Sequence, residues 1–205
     1  MTRRYPAYRD SGVEWLGEVP EGWVVARLKS VLAEPLKYGA NEAADSDDPE
    51  QPRFVRITDI DGGARLRDDT FRSLPYEVAE PYLLQEGDLL FARSGATVGK
   101  TFLYSAAWGQ CCYAGYLIRA RPSRARVSAD FLFQCCQSDF YWQYVGSDQI
   151  QFTIQNFSAE KYANLWLPLP PLPEQTAIAA FGHLDFYEFS APHLGATGLK
   201  VAGDH

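Results

Sequence analysis

Residues 87–104, GDLLFARSGATVGKTFLY, contain the clearest structural pattern in the chain. A Gly-Asp pair introduces the short apolar run 89–93, which is typical of a β-strand. A turn that contains Gly95 and Gly99 follows, and residues 100–104 again have the composition of a strand. The pattern therefore predicts two neighbouring strands joined by a glycine-rich turn.

This turn is similar to a phosphate-binding P-loop, because Gly99 precedes a lysine and a threonine. The P-loop motif needs another glycine five residues earlier, where this chain has Ser94, and it needs a helix rather than a strand after the lysine. Nucleotide hydrolysis is therefore excluded. Two interpretations remain: an exposed hairpin that binds nothing, or a loop that faces DNA through Arg93, Ser94, Thr97 and Lys100.

The segments on either side of the pair predict further strands. Residues 53–60 alternate between polar and apolar side chains, and the Asp-Gly-Gly turn at 61–63 returns the chain through 64–67. Residues 111–121 form another strand-like run. Before them, residues 24–33 place apolar side chains at helical spacing, and the acidic segment 41–52 is typical of an exposed loop.

The last third of the chain predicts helices. Ser128 can cap a helix over residues 129–145, and Ser158 can cap a shorter one. Residues 165–167 are extended, and Glu174 with Gln175 opens a final helical pattern. The predicted fold class is α+β, with a curved, mostly antiparallel sheet, peripheral helices and a short C-terminal helix.

The composition indicates a globular protein with a packed core. The chain has 205 residues, of which 46% are hydrophobic and 14% aromatic. No stretch approaches the 18 apolar residues of a membrane span, and the N-terminus lacks the apolar core of a signal peptide. We therefore expect a soluble, cytoplasmic protein with no membrane partner.

Residues that commonly carry catalysis are scarce. All three histidines fall in the last 23 residues, so histidine-dependent catalysis and a histidine metal site are excluded from the main domain. The four cysteines form two vicinal pairs, 111–112 and 135–136, which lack zinc-ligand spacing and predict reduced, structural thiols. No paired acid and lysine of a metal-dependent nuclease is present either. We expect no enzyme activity and no bound metal.

The net charge of −7 conceals an uneven distribution. Residues 89–129 contain six arginines and lysines but no aspartate or glutamate. Arginine outnumbers lysine there, which favours phosphate or base-edge recognition, although a solvated strand end is the alternative. Beside the turn residues, this stretch adds Arg119 and Arg121 to the predicted DNA contacts.

The amide-rich segment 146–157 supplies a second set of candidates. Glutamine and asparagine can pair with adenine in the major groove, although such side chains also stabilise loops. The predicted contacts are Gln151, Thr153, Gln155 and Asn156. We expect Gln151→Ala to relax the preference at one base pair by about 1–3 kcal/mol.

Four blocks resemble the specificity subunits of type I restriction-modification systems. They are YPAYRDSGVEWLGEVPEGW at 5–23, VRITDI at 55–60 followed by Gly62, GDLLFARSGATVGK at 87–100, and LPLPPLPEQ at 167–175 followed by Ile178. The resemblance runs from about residue 4 to residue 185 and covers one target recognition domain with its flanking segments.

The resemblance implies a non-catalytic subunit that reads one half of a bipartite site in double-stranded DNA. Partner subunits would do the chemistry: methyltransferase subunits would use S-adenosylmethionine to methylate adenine N6, and restriction subunits would use ATP. The chain itself would need no cofactor. It also implies a partner interface, for which the candidates are Trp15, Trp23, Glu174, Gln175 and Ile178.

The predicted domain boundaries depart from the family pattern. We assign residues 1–172 to the recognition domain with its entry segment, 173–185 to a truncated spacer helix and 186–205 to a weakly ordered tail. A single recognition domain leaves three alternatives open: an N-terminal fragment, a frameshifted remnant, or a natural half-subunit that joins a second half-subunit or forms a homodimer. The alternative function is a protein-interaction module that does not bind DNA, which the acidic net charge favours.

Overall fold

The computed structural model of the chain describes residues 5–43, 45–149 and 156–180, without the side chains of residues 148 and 149. Short strands and helices alternate along it. The strands are β1 Tyr8–Asp10, β2 Glu18–Pro20, β3 Val24–Arg27, β4 Lys37–Tyr38, β5 Arg53–Val55, β6 Leu89–Ala92, β7 Thr101–Leu103, β8 Cys111–Tyr113, β9 Leu117–Ala120 and β10 Trp166–Leu169. The α-helices are α1 Tyr76–Ala79, α2 Ala129–Cys135, α3 Asp139–Gln149, α4 Ala159–Ala163 and α5 Leu172–Ala180.

A four-stranded antiparallel sheet with the order β4-β9-β6-β7 lies at the centre. All four residues of β6 are buried, as expected for a strand covered on both faces. Leu89 and Phe91 pack with the core that contains α2 and α3, whereas Leu90 and Ala92 pack toward β5 and β8. This alternation follows from the two-residue period of a strand and places the sheet between two apolar layers.

Three strand pairs surround this sheet. β5 and β8 pair in parallel, whereas β3 with β10 and β1 with β2 pair antiparallel. The expected α+β fold with a mostly antiparallel sheet and a short C-terminal helix is confirmed. The prediction was a single curved sheet, whereas the described strands form one four-stranded sheet and three two-stranded ones.

Two serine caps are confirmed. The hydroxyl of Ser128 accepts a hydrogen bond from the Phe131 amide at the start of α2, and that of Ser158 accepts one from Lys161 at the start of α4. Each cap satisfies an amide that has no partner within the helix, which stabilises the helix by about 1 kcal/mol. The final helix is also present, although it begins at Leu172 rather than at Glu174.

The helix predicted over residues 24–33 is wrong. Residues 24–27 form β3, which pairs with β10 through Ala26 opposite Leu167, and a 3-10 helix covers Leu28–Val31. The apolar spacing is only partly used, because Leu28 and Val31 are buried whereas Val24 is 61% exposed. Pairing with a strand distant in sequence overrides the local period.

Two predicted strands and one predicted helix are shorter or divided in the structure. The strand expected over 53–60 ends at Val55, because the Arg56 amide and guanidinium both donate to the Asp59 carboxylate and close a 3-10 turn. The strand over 111–121 divides into β8 and β9. The helix over 129–145 divides into α2 and α3, where the Ser138 hydroxyl donates to the Cys135 carbonyl at 2.5 Å.

The turn after Ile60 has the predicted position but a different backbone. Ile60 and Leu66 form an antiparallel bridge, which confirms the return of the chain. The residue with a positive φ is Ala64, at 58°, rather than either glycine of the Asp-Gly-Gly sequence. Asp61 Oδ1 accepts hydrogen bonds from the Gly63 and Arg65 amides, which holds the turn closed.

The four cysteines are free and buried, in agreement with structural thiols. Burial raises the pKa of Cys111 and that of Cys112 to about 12, so both thiols stay protonated and unreactive at neutral pH. No helix within the described ranges is both long and apolar enough to cross a membrane.

Candidate nucleic-acid interface

One end of the central sheet gathers several turns into a single surface. β6 ends there while β7 and β9 begin, because Ala92 pairs with Leu117 and Phe91 with Thr101. We call this surface the loop edge and define it by three turns: residues 61–65, 93–100 and 114–116. The register of β4 also brings Tyr38 to this end, opposite Ile118.

Arg93 occupies the middle of the loop edge. Its guanidinium lies over the Tyr38 ring, 4.8 Å from the ring centroid, a distance that allows a cation–π interaction. Its Nε donates to Asn156 Oδ1 at 3.4 Å, and Nη1 lies 3.5 Å from the Gly115 carbonyl oxygen. No carboxylate of the described residues pairs with Arg93, so its charge is available to an anion.

Lys100 joins two of the turns. Its Nζ donates to the Ile60 carbonyl at 2.6 Å and holds the 61–65 turn against the glycine-rich turn. The Arg65 and Gly63 amides, together with the positive charges of Arg65 and Lys100, lower the pKa of Asp61. Arg65 itself is exposed, so the two joined turns carry a second group of cations on the loop edge, Arg65 and Lys100.

The glycine-rich turn is held from below by buried tyrosines. The Tyr162 hydroxyl accepts a hydrogen bond from the Gly99 amide, and the Tyr141 hydroxyl donates to the Gly99 carbonyl. Gly99 has a φ of +87°, and a Cβ there would lie 2.7 Å from the Trp142 ring. Only glycine fits this position, where the backbone approaches a ring closely and adopts a left-handed conformation.

Ser94 and Thr97 belong to the same turn. Ser94 forms a backbone bridge with Asn156, and the Thr97 hydroxyl donates to the Ser94 carbonyl at 3.2 Å. Both side chains are half-buried; Ser94 precedes the 3-10 helix Gly95–Thr97, and Thr97 ends it. The structure therefore brings Arg93, Ser94, Thr97 and Lys100 together in one turn, with Asn156 beside Arg93. Contact between this turn and DNA stays a prediction.

Exposed aromatic side chains are concentrated at the loop edge. Six large apolar residues of the described chain are notably exposed, and three of them lie here: Tyr38, Tyr116 and Trp142. Tyr116 lies in the turn between β8 and β9, and Trp142 packs under Gly99. Aromatic rings beside unpaired cations are typical of surfaces that contact nucleic acid.

Arg119 and Arg121 point toward the other end of the sheet. We call this the exit end: residues 85–88, 103–105 and 121–124, next to the start of α5. The Arg121 guanidinium binds Asp88 through Nε and Nη2, each at 2.8 Å, and it also contacts Glu34 at 2.9 Å. The hydrogen bonds that Arg121 donates to Asp88 raise the pKa of Arg121 above its usual value.

The neighbouring Arg119 is also neutralised. Its Nη2 lies 2.7 Å from Glu34 Oε1, and its side chain is 4% exposed. Hydrogen bonding from Lys37, and then the charges of Arg119 and Arg121, lower the pKa of Glu34. Arg119 and Arg121 therefore stabilise the sheet, and we leave them out of the proposed DNA contacts, because binding a phosphate would require breaking these pairs.

Half of the amide-rich segment, residues 150–155, lies outside the described residues, and Gln151, Thr153 and Gln155 belong to that half. Asn156 is described and exposed. Its side-chain oxygen accepts from Arg93, so in this structure the amide positions a cation. Base contact by the glutamines stays a prediction.

The predicted partner-interface residues are largely used within the domain. Trp23, Gln175 and Ile178 are buried, and Gln175 accepts from the Ser128 amide and donates to the Pro170 carbonyl, both at 2.9 Å. Glu174 accepts a hydrogen bond from the Tyr5 hydroxyl, and Trp15 packs against Tyr144. These contacts hold the entry segment and α5 on the core. Contact between the same residues and another subunit stays a prediction.

Some residues of the loop edge were not among the predicted contacts. Tyr116 falls within the strand predicted over residues 111–121, although the Ala-Gly pair before it is typical of a turn that ends a strand. Tyr38 reaches the edge through strand register, Trp142 through helix packing, and Arg65 through the hydrogen bond from Lys100 to the Ile60 carbonyl. No local sequence pattern indicates these contacts. No group of metal-ligating side chains occurs within the described ranges.

Comparison with known families identifies the class of domain to which this fold belongs. A family model described as the type I restriction modification DNA specificity domain matches residues 20–182. That range covers most of the chain, so the chain belongs to this family.

The relatives are specificity subunits of type I restriction enzymes. The EcoKI specificity subunit of Escherichia coli strain K12 is 24% identical over 168 residues, covering 80% of this chain and 36% of the relative. A putative MjaX specificity subunit of Methanocaldococcus jannaschii is 26% identical over 174 residues, covering 80% and 39%. The chain thus spans less than two fifths of the length of these relatives.

Solved structures agree in fold. A chain from a study of complex assembly in the type I R-M system superposes with a TM-score of 0.59 at 23% identity, covering 80% of this chain and 38% of that one. The HsdS subunit of Thermoanaerobacter tengcongensis gives a TM-score of 0.57 at 21% identity, covering 85% and 39%.

Proposed function

We propose that this chain is a DNA recognition domain of a type I restriction-modification system and reads one half of a bipartite site in double-stranded DNA. It acts without catalysis of its own, as a specificity component that brings partner subunits to the site. Family membership over residues 20–182 supports the class of function. The structural observation that carries the proposal is the loop edge, where Arg93 and Lys100 have no carboxylate partner among the described residues.

The acidic net charge is compatible with this proposal because charge acts locally. At physiological ionic strength, charges separated by more than about 8 Å are largely screened. Phosphates at the loop edge would meet Arg93, Lys100 and Arg65, whereas Arg119 and Arg121 are neutralised by Glu34 and Asp88. The exposed aromatic rings supply apolar contact beside those cations.

The partners follow from the same proposal. Methyltransferase subunits with S-adenosylmethionine, and restriction subunits with ATP, would supply the chemistry in the cytoplasm, and this chain would bind neither cofactor. A second recognition domain would read the other half-site. It would come from the remainder of a longer chain, from a second half-subunit or from a second copy.

Selection from random duplexes tests the proposal. The chain, purified alone and together with its methyltransferase subunit, is incubated with a random duplex library at several salt concentrations. We expect enrichment of one short motif by the chain alone and of a bipartite motif by the complex. Arg93→Ala should weaken binding and lower the salt slope by about 0.9.

Arg124→Ala is the matched control for this test. Arg124 comes from the same acid-free stretch and is exposed, but it lies at the exit end. We expect its replacement to leave the salt slope unchanged. If wild-type protein enriches no sequence and shows no salt-dependent binding, the protein-interaction alternative replaces the DNA-binding function.

A further inference from the structure

Tyr116 is the most exposed large apolar side chain in the described part of the protein, at 68% of its full exposure. It lies in the turn 114–116 between β8 and β9 and forms no side-chain hydrogen bond with the described residues. Exposing this much aromatic surface is unfavourable in water. Tyr116 shares the loop edge with the exposed ring of Tyr38, and a group of exposed aromatic side chains, unlike a single one, suggests a contact with a binding partner.

The backbone around Tyr116 is held firmly. The Ala114 amide donates to Val55 at 3.0 Å, the Gly115 amide to Ala40 at 2.7 Å, and the Leu117 amide to Ala114 at 2.9 Å. A side chain at position 115 would collide with Asn41, because a Cβ there would lie 2.0 Å from its Oδ1. The turn thus presents the ring from a fixed base, which reduces the entropy lost on binding.

The neighbours of Tyr116 indicate the chemistry of the partner. Its carbonyl accepts from the Arg93 amide at 3.1 Å, and Arg93 Nη1 lies 3.5 Å from the carbonyl oxygen of Gly115, the residue before it. The turn that carries Tyr116 therefore adjoins a guanidinium that has no carboxylate partner among the described residues. A phosphate beside a flat apolar surface matches this pair of groups. A nucleotide offers both, since the phosphate lies one sugar away from the face of its base.

We propose that Tyr116 acts as a wedge that packs its ring against a base step of the half-site and partly unstacks it, while Arg93 binds an adjacent phosphate. Such wedges kink the duplex and depend on how easily the step opens. Tyr116 therefore contributes specificity through DNA deformability, with a preference for a pyrimidine–purine step at the contacted position. This inference rests on the proposed DNA-binding function.

A base-analogue scan tests the wedge. Duplexes of the selected half-site carry 2-aminopurine at one position at a time, because its fluorescence rises when a base is unstacked. We expect wild-type protein to raise the signal at one step. Tyr116→Ala should remove that rise and weaken specific binding about tenfold, with an unchanged salt slope, whereas Tyr116→Phe should retain both properties.

Tyr76→Ala is the matched control. Tyr76 is 45% exposed and lies on α1, next to Gln51 at the far end of β5, and its loss should alter neither signal nor affinity. Thermal melting should show that all three variants fold normally, because each substituted side chain is exposed.

The outcomes separate this inference from the proposed function. If wild-type protein binds DNA but Tyr116→Ala retains the fluorescence rise and the affinity, the wedge is overturned and the function stands. If Tyr116→Ala binds DNA normally but no longer binds the methyltransferase subunit, Tyr116 belongs to a protein interface and the wedge is again overturned. If wild-type protein binds no DNA, both proposals fail.

Discussion

The loop edge and the exit end receive their arginines from the same acid-free stretch of chain, but the two ends use them differently. Arg119 and Arg121 meet Glu34 and Asp88 and become part of a network of ion pairs. Arg93 instead lies over a tyrosine ring and keeps its charge unpaired by any carboxylate of the described residues. The partners of a cation, rather than its place in a basic segment, therefore decide whether it stabilises the fold or is available to bind an anion.

The largest expected effect concerns the exit end. Glu34→Ala leaves the guanidinium of Arg119, whose side chain is 4% exposed, without the carboxylate that binds it. We expect the free energy of unfolding to fall by about 3 kcal/mol, because an unpaired buried charge is costly. Urea unfolding measures it. Lys37→Ala is the control, since Lys37 contacts the same carboxylate from an exposed position and should cost at most about 1 kcal/mol.

The same network predicts a pH dependence. Lys37, Arg119 and Arg121 lower the pKa of Glu34 below its ordinary value of 4.5 in the folded state. The stabilisation is therefore present above pH 4.5 and is lost as pH falls through the folded pKa. We expect the difference in stability between wild type and Glu34→Gln to be largest near neutral pH and to shrink in acid. A difference that stays constant down to the folded pKa contradicts the role of the charge.

The next effect concerns the backbone of the loop edge. Gly99→Ala places a Cβ 2.7 Å from Trp142 at a φ of +87°, so we expect unfolding to become easier by about 2 kcal/mol. Gly95→Ala separates the cost of the positive φ from the cost of the contact with Trp142, because Gly95 has a φ of +68° but open space around it. We expect this variant to lose about 1 kcal/mol of stability. Equal midpoints of urea unfolding for both variants would show that contact with Trp142 is not what constrains the turn.

A smaller effect is expected for binding. Lys100→Ala removes a cation of the loop edge, and we expect DNA affinity to fall by roughly 1 kcal/mol. The slope of affinity against salt should fall by about 0.9. Arg126→Ala is the comparison from the same stretch, since Arg126 donates to the Ser30 carbonyl away from the edge. Fluorescence anisotropy over a salt series decides, and an unchanged slope for Lys100→Ala would remove it from the interface.

The smallest effect has the opposite sign. Asp61→Asn keeps the oxygen that accepts from the Gly63 and Arg65 amides but removes a negative charge close to Lys100. We expect DNA to bind about twofold more tightly at low salt, with the gain disappearing as salt screens the charge. Asp130→Asn at the exit end should change nothing. Weaker binding by Asp61→Asn would mean that the carboxylate itself takes part in recognition.

Much of this arrangement could be predicted where local chemistry decides it. Ser128 and Ser158 cap helices, and the Gly-Asp pair precedes a strand, because each signal acts within a few residues. β3 could not be predicted, since its partner β10 lies far along the chain. The pairing of Arg119 with Glu34 could not be predicted for the same reason, and the exposure of Tyr116 depends on the division of the predicted strand into β8 and β9.

The pairing of β3 with β10 has a consequence for modularity. Val24 lies opposite Leu169, so the chain enters and leaves the central part of the domain at adjacent points. The turns of the loop edge all lie between β3 and β10 in the sequence. The length of the segment between the two strands does not alter the distance between them, because they are paired with each other. A recombination event that exchanges the segment between β3 and β10 would thus install new recognition loops while the flanking geometry stays fixed. The paired strands β3 and β10 would thus be the fixed part of the domain, and the segment between them would be the exchangeable part.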